Sequence, residues 1–136
     1  MDTNTDDKLV FSAERSFDIW DWTSPCQDLN LFENWVNDLA SLGFTRIEIS
    51  VPWRRVEPSP GVYDFSFVSD RLAICERHKI GMRLRVNSYY GSATPDWYNG
   101  DFWKTADGAY APIRIPSIND PRFWGYYGAM CTALSR

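Results

Sequence analysis

The sequence has few of the residues that build metal centres or nucleotide sites. It contains a single histidine, His78, and its three cysteines stand far apart at Cys26, Cys75 and Cys131. These spacings fit no metal-binding pattern, and an odd number of cysteines does not make a disulfide framework. There is also no glycine-rich phosphate loop and no G-x-S-x-G elbow. We therefore predict no metal ion, no other cofactor and no serine nucleophile.

Long apolar runs are missing as well. No stretch approaches the ~20 apolar residues that a membrane-spanning helix needs, and the amino-terminal residues lack the apolar segment of a secretory signal. A net charge of −4 argues against nucleic acid and anionic membranes as partners. These features predict a cytoplasmic protein with a disordered polar lead at residues 1–13. They leave the oligomeric state unknown.

Aromatic residues, in contrast, are abundant, at 16% of the chain with seven tryptophans. Such side chains combine a large apolar ring with, in Tyr and Trp, a polar group. They can pack in a core or form platforms on which sugar rings stack. Several of them fall in predicted loops instead of along helix stripes, so both roles stay open.

Three segments alternate between apolar and polar residues: Ser16–Trp22, Arg46–Val51 and Met82–Asn87. An alternation of period two predicts β-strands. The segments follow one another at intervals of roughly 30 to 35 residues, the length of a βαβ unit. We therefore expect a parallel sheet with right-handed crossovers.

In the segments between and after these strands, apolar residues recur at helical spacing. A loop at Thr23–Asn30 supplies Asp28 or Asn30 as a cap for the first helix, and Gly43 is suited to end it. The second helix is predicted to open at Ser66, after a turn rich in proline. The third is predicted to begin with Asp120 as its N-cap and a proline in its first turn.

The two faces of the predicted sheet differ in chemistry. One is apolar, whereas the other places Glu48 among Arg46, Arg83 and Arg85. An ion that is buried without a partner costs several kcal/mol, so the charged face is predicted to be enclosed and to hold a salt-bridge network. The interior of a barrel that becomes polar toward its mouth fits this pattern better than a doubly wound sheet.

The predicted fold class is α/β, a (β/α)8 TIM barrel of which only the first three βα units are present. A complete barrel takes roughly 250 residues, whereas this sequence has 136. Its last predicted helix runs to Arg136 without a stop signal. Residues 14–136 are therefore expected to form the N-terminal part of a barrel domain.

One motif resembles a known family. The run W-x-x-V-E-P-x-x-G-x-Y-D-F at residues 53–65 is similar to the second βα loop of the clan A glycoside hydrolases, and most of all to that of the family 42 β-galactosidases. The resemblance implies a TIM barrel that hydrolyses galactosides or other β-glycosides with retention. It places the two catalytic glutamates after the fourth and seventh strands. It thus implies no catalytic residue in this chain, which alone is expected to be inactive.

Substrate-binding residues follow from the same resemblance. Arg46 is similar to an arginine of the family's second strand, and Trp97 belongs to a Pro-x-Trp run whose tryptophan walls the sugar pocket. Arg114 stands where a family arginine contacts the galactosyl group. For Trp53 and Trp97, packing in the core and contact with a sugar are both open as roles. Together the expected pocket walls and hydroxyl-binding groups are Trp20, Arg46, Trp53, Asn87, Trp97 and Arg114.

The carboxylates of the chain do not suggest the pair that glycoside hydrolysis needs. Glu57 lies in a turn, where bracing the loop is the favoured role, and Glu48 is expected to form an ion pair. Asp18, Asp21 and Asp96 remain as candidates without a partner.

Several alternatives stay open beside a β-galactosidase. Another clan A activity of the β-glucanase or mannanase type would differ only in its subsites. The β-amylases share a similar W-x-x-V-E loop. A carbohydrate-binding barrel that has lost its glutamates, or a truncated frame that does not fold, would have no activity at all.

Overall fold

A computed structural model describes residues 15–88, 93–104 and 115–136 of the chain. The described part contains three β-strands and five α-helices. In chain order these elements are β1 (Ser16–Trp20), α1 (Ser24–Gln27), α2 (Leu29–Ser41), β2 (Arg46–Pro52), α3 (Trp53–Val56), α4 (Ser66–Arg77), β3 (Gly81–Asn87) and α5 (Pro121–Leu134). The predicted lead at residues 1–13 lies outside the described residues.

The strands form one parallel sheet in the order β1-β2-β3. Ile47 pairs with Phe17 on one side and with Met82 on the other, so the register of the three strands is continuous. The prediction of an α/β fold with a parallel sheet is confirmed. The eight-stranded barrel itself stays a prediction, because the described residues contain three strands.

Helix starts follow the local signals in the sequence. The Asp28 carboxylate accepts hydrogen bonds from the amides of Asn30 and Leu31, at 2.8 and 3.0 Å, and so caps α2. Asp120 caps α5 in the same way, with a proline in the first turn. Gly43 follows α2 with a φ of +83°, a conformation that glycine adopts without a steric penalty. These predicted boundaries are confirmed.

Other boundaries differ from the predicted ones. β1 ends at Trp20 instead of Trp22, because the chain turns there and the Thr23 amide donates to the Trp20 carbonyl. The predicted loops after β1 and β2 contain the short helices α1 and α3. β2 extends one residue beyond the predicted Val51 and ends at Pro52, where a missing N–H removes only one possible hydrogen bond.

The core lies between the sheet and its helices. Ile47, Ile49 and Val51 on β2 are buried, and α2 and α4 contribute the buried side chains of Phe32, Val36, Leu39, Val68, Ile74 and Cys75. The apolar face is less complete on the outer strands, since Phe17 is 41% exposed and the apolar residues of β3 are half-buried. Burial is therefore deepest at the central strand, which has a neighbour on each side.

Part of the salt-bridge network that was predicted for the charged face of the sheet is present. Glu48 is buried, and its carboxylate pairs with Arg83 and Arg85 of the neighbouring strand. The two arginine side chains remain 58% and 46% exposed. The prediction of an enclosed face is thus not met by the described residues, which leave the arginine side of the pairs open. None of the helices in the described ranges has the length and apolar character to cross a bilayer.

Candidate functional site

The carboxyl ends of the three strands meet at one edge of the sheet, which we call the carboxyl edge. Trp20 ends β1, Pro52 ends β2 and Asn87 ends β3, and the register pairs Pro52 with Asn87. Ligands of parallel α/β proteins bind in the crevice outside this edge, where loops follow the strands. The candidate site is therefore built from the loops after β1, β2 and β3.

Arg46 lies at the opposite edge. It is the first residue of β2 and pairs with Ser16 and Gly81, the first residues of the neighbouring strands. Six residues separate it from Pro52, which corresponds to about 20 Å along a strand. An arginine side chain is much shorter than this distance. We therefore leave Arg46 out of the candidate site, although the motif match suggested it.

Glu57 organises the loop that follows β2. Its carboxylate accepts hydrogen bonds from Trp53 Nε1 at 2.7 Å and from the Gly61 amide at 2.9 Å. Its backbone carbonyl accepts a further bond from Trp97 Nε1 at 2.9 Å. Glu57 itself is buried. The motif residues thus fold the loop and tie it to the loop after β3, the bracing role expected for Glu57.

Trp53 lies inside an aromatic cluster and is fully buried. Its indole packs edge-on against Trp97 and Tyr127, in each case with 5.5 Å between ring centroids, and also contacts Tyr98 and Phe123. No face of the ring is exposed for a sugar to stack on. Of the two roles open to Trp53, packing accounts for its whole surface.

Trp97 and Trp20 keep part of their surface exposed at the carboxyl edge. Both are half-buried, in contrast to Trp53. Trp97 packs edge-on against Tyr126 with 5.2 Å between centroids, and its Nε1 bond to Glu57 fixes the ring. A fixed and partly exposed indole is suited to contact a sugar ring, so these two residues stay in the candidate site.

Asn87 has the most unusual surroundings in the site. Its side chain is 1% exposed, yet neither its Oδ1 nor its Nδ2 has a hydrogen-bond partner among the described residues. Most buried polar groups in proteins are paired, and leaving one unpaired costs about 1–3 kcal/mol. The amide holds a donor and an acceptor at the end of β3 that a ligand could satisfy.

An ion pair joins the loops after β1 and β2. Arg55 Nε lies 3.0 Å from Asp21 Oδ2, and the Asp21 carboxylate is buried. The Asp21 amide donates to the carbonyl of Ser50 at 2.9 Å, which fixes the backbone at the end of β1. The guanidinium of Arg55 also lies over the ring of Phe67, 4.3 Å from its centroid.

A cleft of about 340 Å³ opens beside this ion pair. Ligand pockets in proteins start at ≈ 300 Å³, so the cleft has room for a small ligand. Its walls come from the loops after all three strands, namely Asp21, Pro52, Arg54, Arg55, Pro58, Pro95 and Asp96. Asp21 and Asp96, two of the carboxylates left as candidates by the sequence, therefore line one cleft.

The loop after β3 is held in place by Asp120. Its carboxylate accepts from the amides of Asp101 and Arg122 and pairs with the Arg122 guanidinium at 2.9 Å. The hydrogen bonds from the Arg122 side chain, and then that from the Asp101 amide, lower the pKa of Asp120 to about 2. This carboxylate connects the start of α5 to the loop that carries Trp97.

Tyr98 packs under the same loop. Its hydroxyl is buried and has no hydrogen-bond partner in the ranges that the structure describes, and burial raises the pKa of the phenol to about 12. Gly100 lies so close that a Cβ atom there would meet Tyr98 Oη at 2.1 Å and Asp120 Oδ2 at 2.8 Å. Only glycine fits at this position without displacing the loop.

Four of the described carboxylates are held by interactions within the protein. Glu48 and Asp21 are held by arginines, and Glu57 by Trp53 and the loop amide. Glu33 lies on α2, where hydrogen bonds from Arg77 and His78 lower its pKa. Among the described residues no group of three potential metal ligands comes together. Arg114, and with it one predicted contact to the galactosyl group, lies outside the described residues.

The substrate-binding residues expected from the sequence did not include Arg54 and Arg55. Both belong to α3, immediately after β2, and both line the cleft. Their place after a strand was a usable signal, since loops at this edge carry ligand sites. The role in sugar binding was assigned to the preceding Trp53 instead, although that side chain is buried.

Comparison with known proteins shows the fold class. No protein-family model and no curated protein matches the sequence. A family 39 glycoside hydrolase from Bacteroides cellulosilyticus WH2 superposes on 89% of this chain with a TM-score of 0.57 at 21% identity. An exo-β-1,4-mannosidase, Op5Man5, from Opitutaceae bacterium strain TAV5 covers 62% of the chain with a TM-score of 0.51 at 21% identity.

A third similar structure is the GH5_18 protein of Bifidobacterium longum subsp. longum ATCC 55813, which covers 71% of this chain with a TM-score of 0.52 at 17% identity. The chain spans only 17% to 27% of the length of these three structures. All three are TIM-barrel glycosidases. At such low identity the likeness extends to the fold: this α/β chain resembles part of a glycosidase barrel.

Proposed function

We propose that the protein is a glycoside hydrolase in which the carboxyl edge of β1–β3 forms part of the sugar-binding wall. The observation that carries the proposal is the buried and unpaired amide of Asn87, which lies at this edge with the half-buried Trp20 and Trp97. The resemblance of residues 53–65 to clan A and the fold of the similar structures support the same function.

The chemistry of these groups suits a neutral sugar. The Asn87 amide can donate to one hydroxyl and accept from another, which would satisfy both of its unpaired atoms. The indoles of Trp20 and Trp97 offer apolar ring surface to the C–H groups of a pyranose. The described residues therefore bind and orient the sugar, while bond cleavage needs two carboxyl groups ~5–5.5 Å apart for retention.

A β-galactoside is the substrate we propose first, because the loop motif is most similar to that of the family 42 β-galactosidases. A β-mannoside comes second, since one of the similar structures is an exo-β-1,4-mannosidase. The glutamates implied by the resemblance are not in this sequence. This chain is accordingly expected to bind sugar without hydrolysing it, and hydrolysis is expected of a polypeptide that also contains them.

A second candidate function is carbohydrate binding without catalysis. Its support is the state of the carboxylates near the carboxyl edge, because Asp21 is paired with Arg55 and Glu57 braces the loop. Neither is free to protonate a leaving group or to attack an anomeric carbon.

The experiment that tests the proposed function is an assay of the polypeptide expressed from the complete gene. Chromogenic β-galactosides and β-mannosides report turnover, and calorimetry reports the binding of the methyl glycosides. Asn87→Ala is expected to weaken binding about tenfold, equivalent to ~1.4 kcal/mol, whereas Asn34→Ala on the exposed face of α2 should leave it unchanged. Binding without turnover would favour the second candidate, and no binding at all would contradict both.

A further inference from the structure

The cleft beside the Asp21–Arg55 pair is lined by described residues of three loops. Its walls come from the loops after three consecutive strands. The groups that line it therefore belong to one chain. Its volume of about 340 Å³ suits a ligand of monosaccharide size.

Most of the charged side chains that line this cleft already interact with other residues of the protein. Arg55 is neutralised by Asp21 at 3.0 Å and stacks on Phe67. Asp96 takes part in an interaction of its own. The guanidinium of Arg54, in contrast, is engaged in no hydrogen bond or ion pair by any residue of the described ranges, and Arg54 is exposed. One guanidinium without a partner among the described residues thus lines the cleft.

The backbone of Arg54 is fixed although its side chain is open. Its amide donates to the Ala93 carbonyl at 2.9 Å, which ties α3 to the loop after β3. A planar guanidinium on a fixed backbone can donate two parallel hydrogen bonds to a carboxylate. The nearby carboxylates of Asp21 and Asp96 would repel an anion of higher charge, such as a phosphate, more strongly than a carboxylate.

We propose that this cleft binds an acidic sugar, with Arg54 pairing the carboxylate of a uronic acid residue. The inference rests on the proposed function and narrows its substrate class to glycans that contain uronic acids. Arg54 then acts as the specificity-determining residue of the site.

The test compares two sugars that differ only at C6. Calorimetry measures the affinity of the protein for galacturonate, which has a carboxylate there, and for galactose, which has a hydroxymethyl group. Galacturonate is expected to bind at least tenfold more tightly at low salt, with a preference that shrinks at high salt. Arg54→Gln should abolish the preference by lowering the galacturonate affinity to that of galactose, Arg54→Lys should retain part of the preference, and the exposed control Arg136→Gln should change nothing.

Each other outcome contradicts the inference in a distinguishable way. Equal affinity for the two sugars would overturn it and leave the glycoside hydrolase proposal intact. A preference for galacturonate that survives Arg54→Gln would remove Arg54 from the role assigned to it. Inorganic sulfate binding as tightly as galacturonate would indicate a general anion site with no sugar recognition. No binding of either sugar would contradict the proposed function as well.

Discussion

At the scale of single residues, Asn87 is where stability and function make opposite demands. Its amide is buried at the end of β3, and both of its polar atoms are unpaired within the described part of the chain. Such a group lowers the free energy of unfolding unless a ligand or another part of the protein pairs with it. The same unpaired atoms are what a sugar hydroxyl can use, so the cost to folding and the capacity for binding share one cause.

Replacing Asn87 by leucine, which has a similar shape, should separate the two effects. Asn87→Leu removes the unpaired amide, so we expect the free energy of unfolding in urea to rise by about 1 kcal/mol. Sugar affinity should fall about tenfold at the same time. The exposed control Asn34→Leu should change neither quantity by a comparable amount. A large loss of stability in Asn87→Leu would show that the amide has a structural partner.

Single residues also show the limits of the sequence. The role of Glu57 was predictable because its donors, Trp53 and Gly61, lie within four residues of it. The packing role of Trp53 was not predictable, because the rings of Trp97 and Phe123 that enclose it come from distant parts of the chain. By contrast, the predicted strand already began at Arg46, so its place at the edge opposite the loops was predictable.

At the scale of elements, the loop after β3 and helix α5 form one unit around Asp120. The carboxylate of Asp120 caps the helix and accepts from the Asp101 amide of the loop. Trp97, which belongs to that loop, contacts Tyr126 of α5. The position of the Trp97 indole in the site therefore depends on the helix start.

Gly100→Ala tests how tightly this unit is packed. The new Cβ would meet Tyr98 Oη at 2.1 Å, so we expect a loss of about 1–3 kcal/mol in the free energy of unfolding, as for an overpacked core. Gly128→Ala is the matched control, because a Cβ there meets nothing within 4 Å and should stabilise α5 by about 0.5–1 kcal/mol. Equal effects of the two substitutions in urea denaturation would contradict the packing described for Gly100.

The ionisation of Asp120 gives a pH-dependent test of the same unit. Because its pKa is lowered from 3.8 to about 2 in the folded protein, its contribution to stability is present above pH 4 and is lost as the pH falls toward 2. Asp120→Asn keeps a capping side chain but cannot ionise. The difference in urea midpoint between the wild type and Asp120→Asn should therefore shrink between pH 4 and pH 2, and a constant difference would contradict it.

Elements with strong local signals were predictable and short ones were not. The caps of α2 and α5 depend on side chains within three residues of the helix start. Helices α1 and α3 have four residues each, fewer than the apolar spacing of a helix needs to become visible. α3 matters for the site because it presents both arginines of the cleft.

At the scale of the whole molecule, the sheet is covered fully only at its centre. β2 has a neighbour on each side and is buried from Ile47 to Pro52, whereas the charged side chains of β3 are open in the described part of the chain. In a closed barrel this charged face would be interior. The parallel order was predictable from the spacing of strands; enclosure depends on contacts that a sequence pattern does not contain.

The reactivity of the three cysteines reports on how well the helices cover the sheet. Cys26 and Cys75 are buried, and burial raises the pKa of the Cys75 thiol to about 11. Cys131 is exposed on α5. With Ellman's reagent at pH 8 we expect one thiol to react rapidly and two to react only on unfolding. Cys131→Ser should remove the fast reaction; a second fast thiol in the native protein would contradict the packing.

The central claim is that the carboxyl edge of the sheet binds sugar, and chemical-shift mapping tests it most directly. The ¹H–¹⁵N spectrum of the protein would be followed during titration with methyl β-galactoside, and then with methyl β-mannoside. We predict that the shifts concentrate on the Asn87 side-chain amide and the Trp20 and Trp97 indoles, while the amide of Gly81 at the opposite edge stays unchanged. Shifts confined to the edge of Gly81, or no shifts with either glycoside, would contradict the claim.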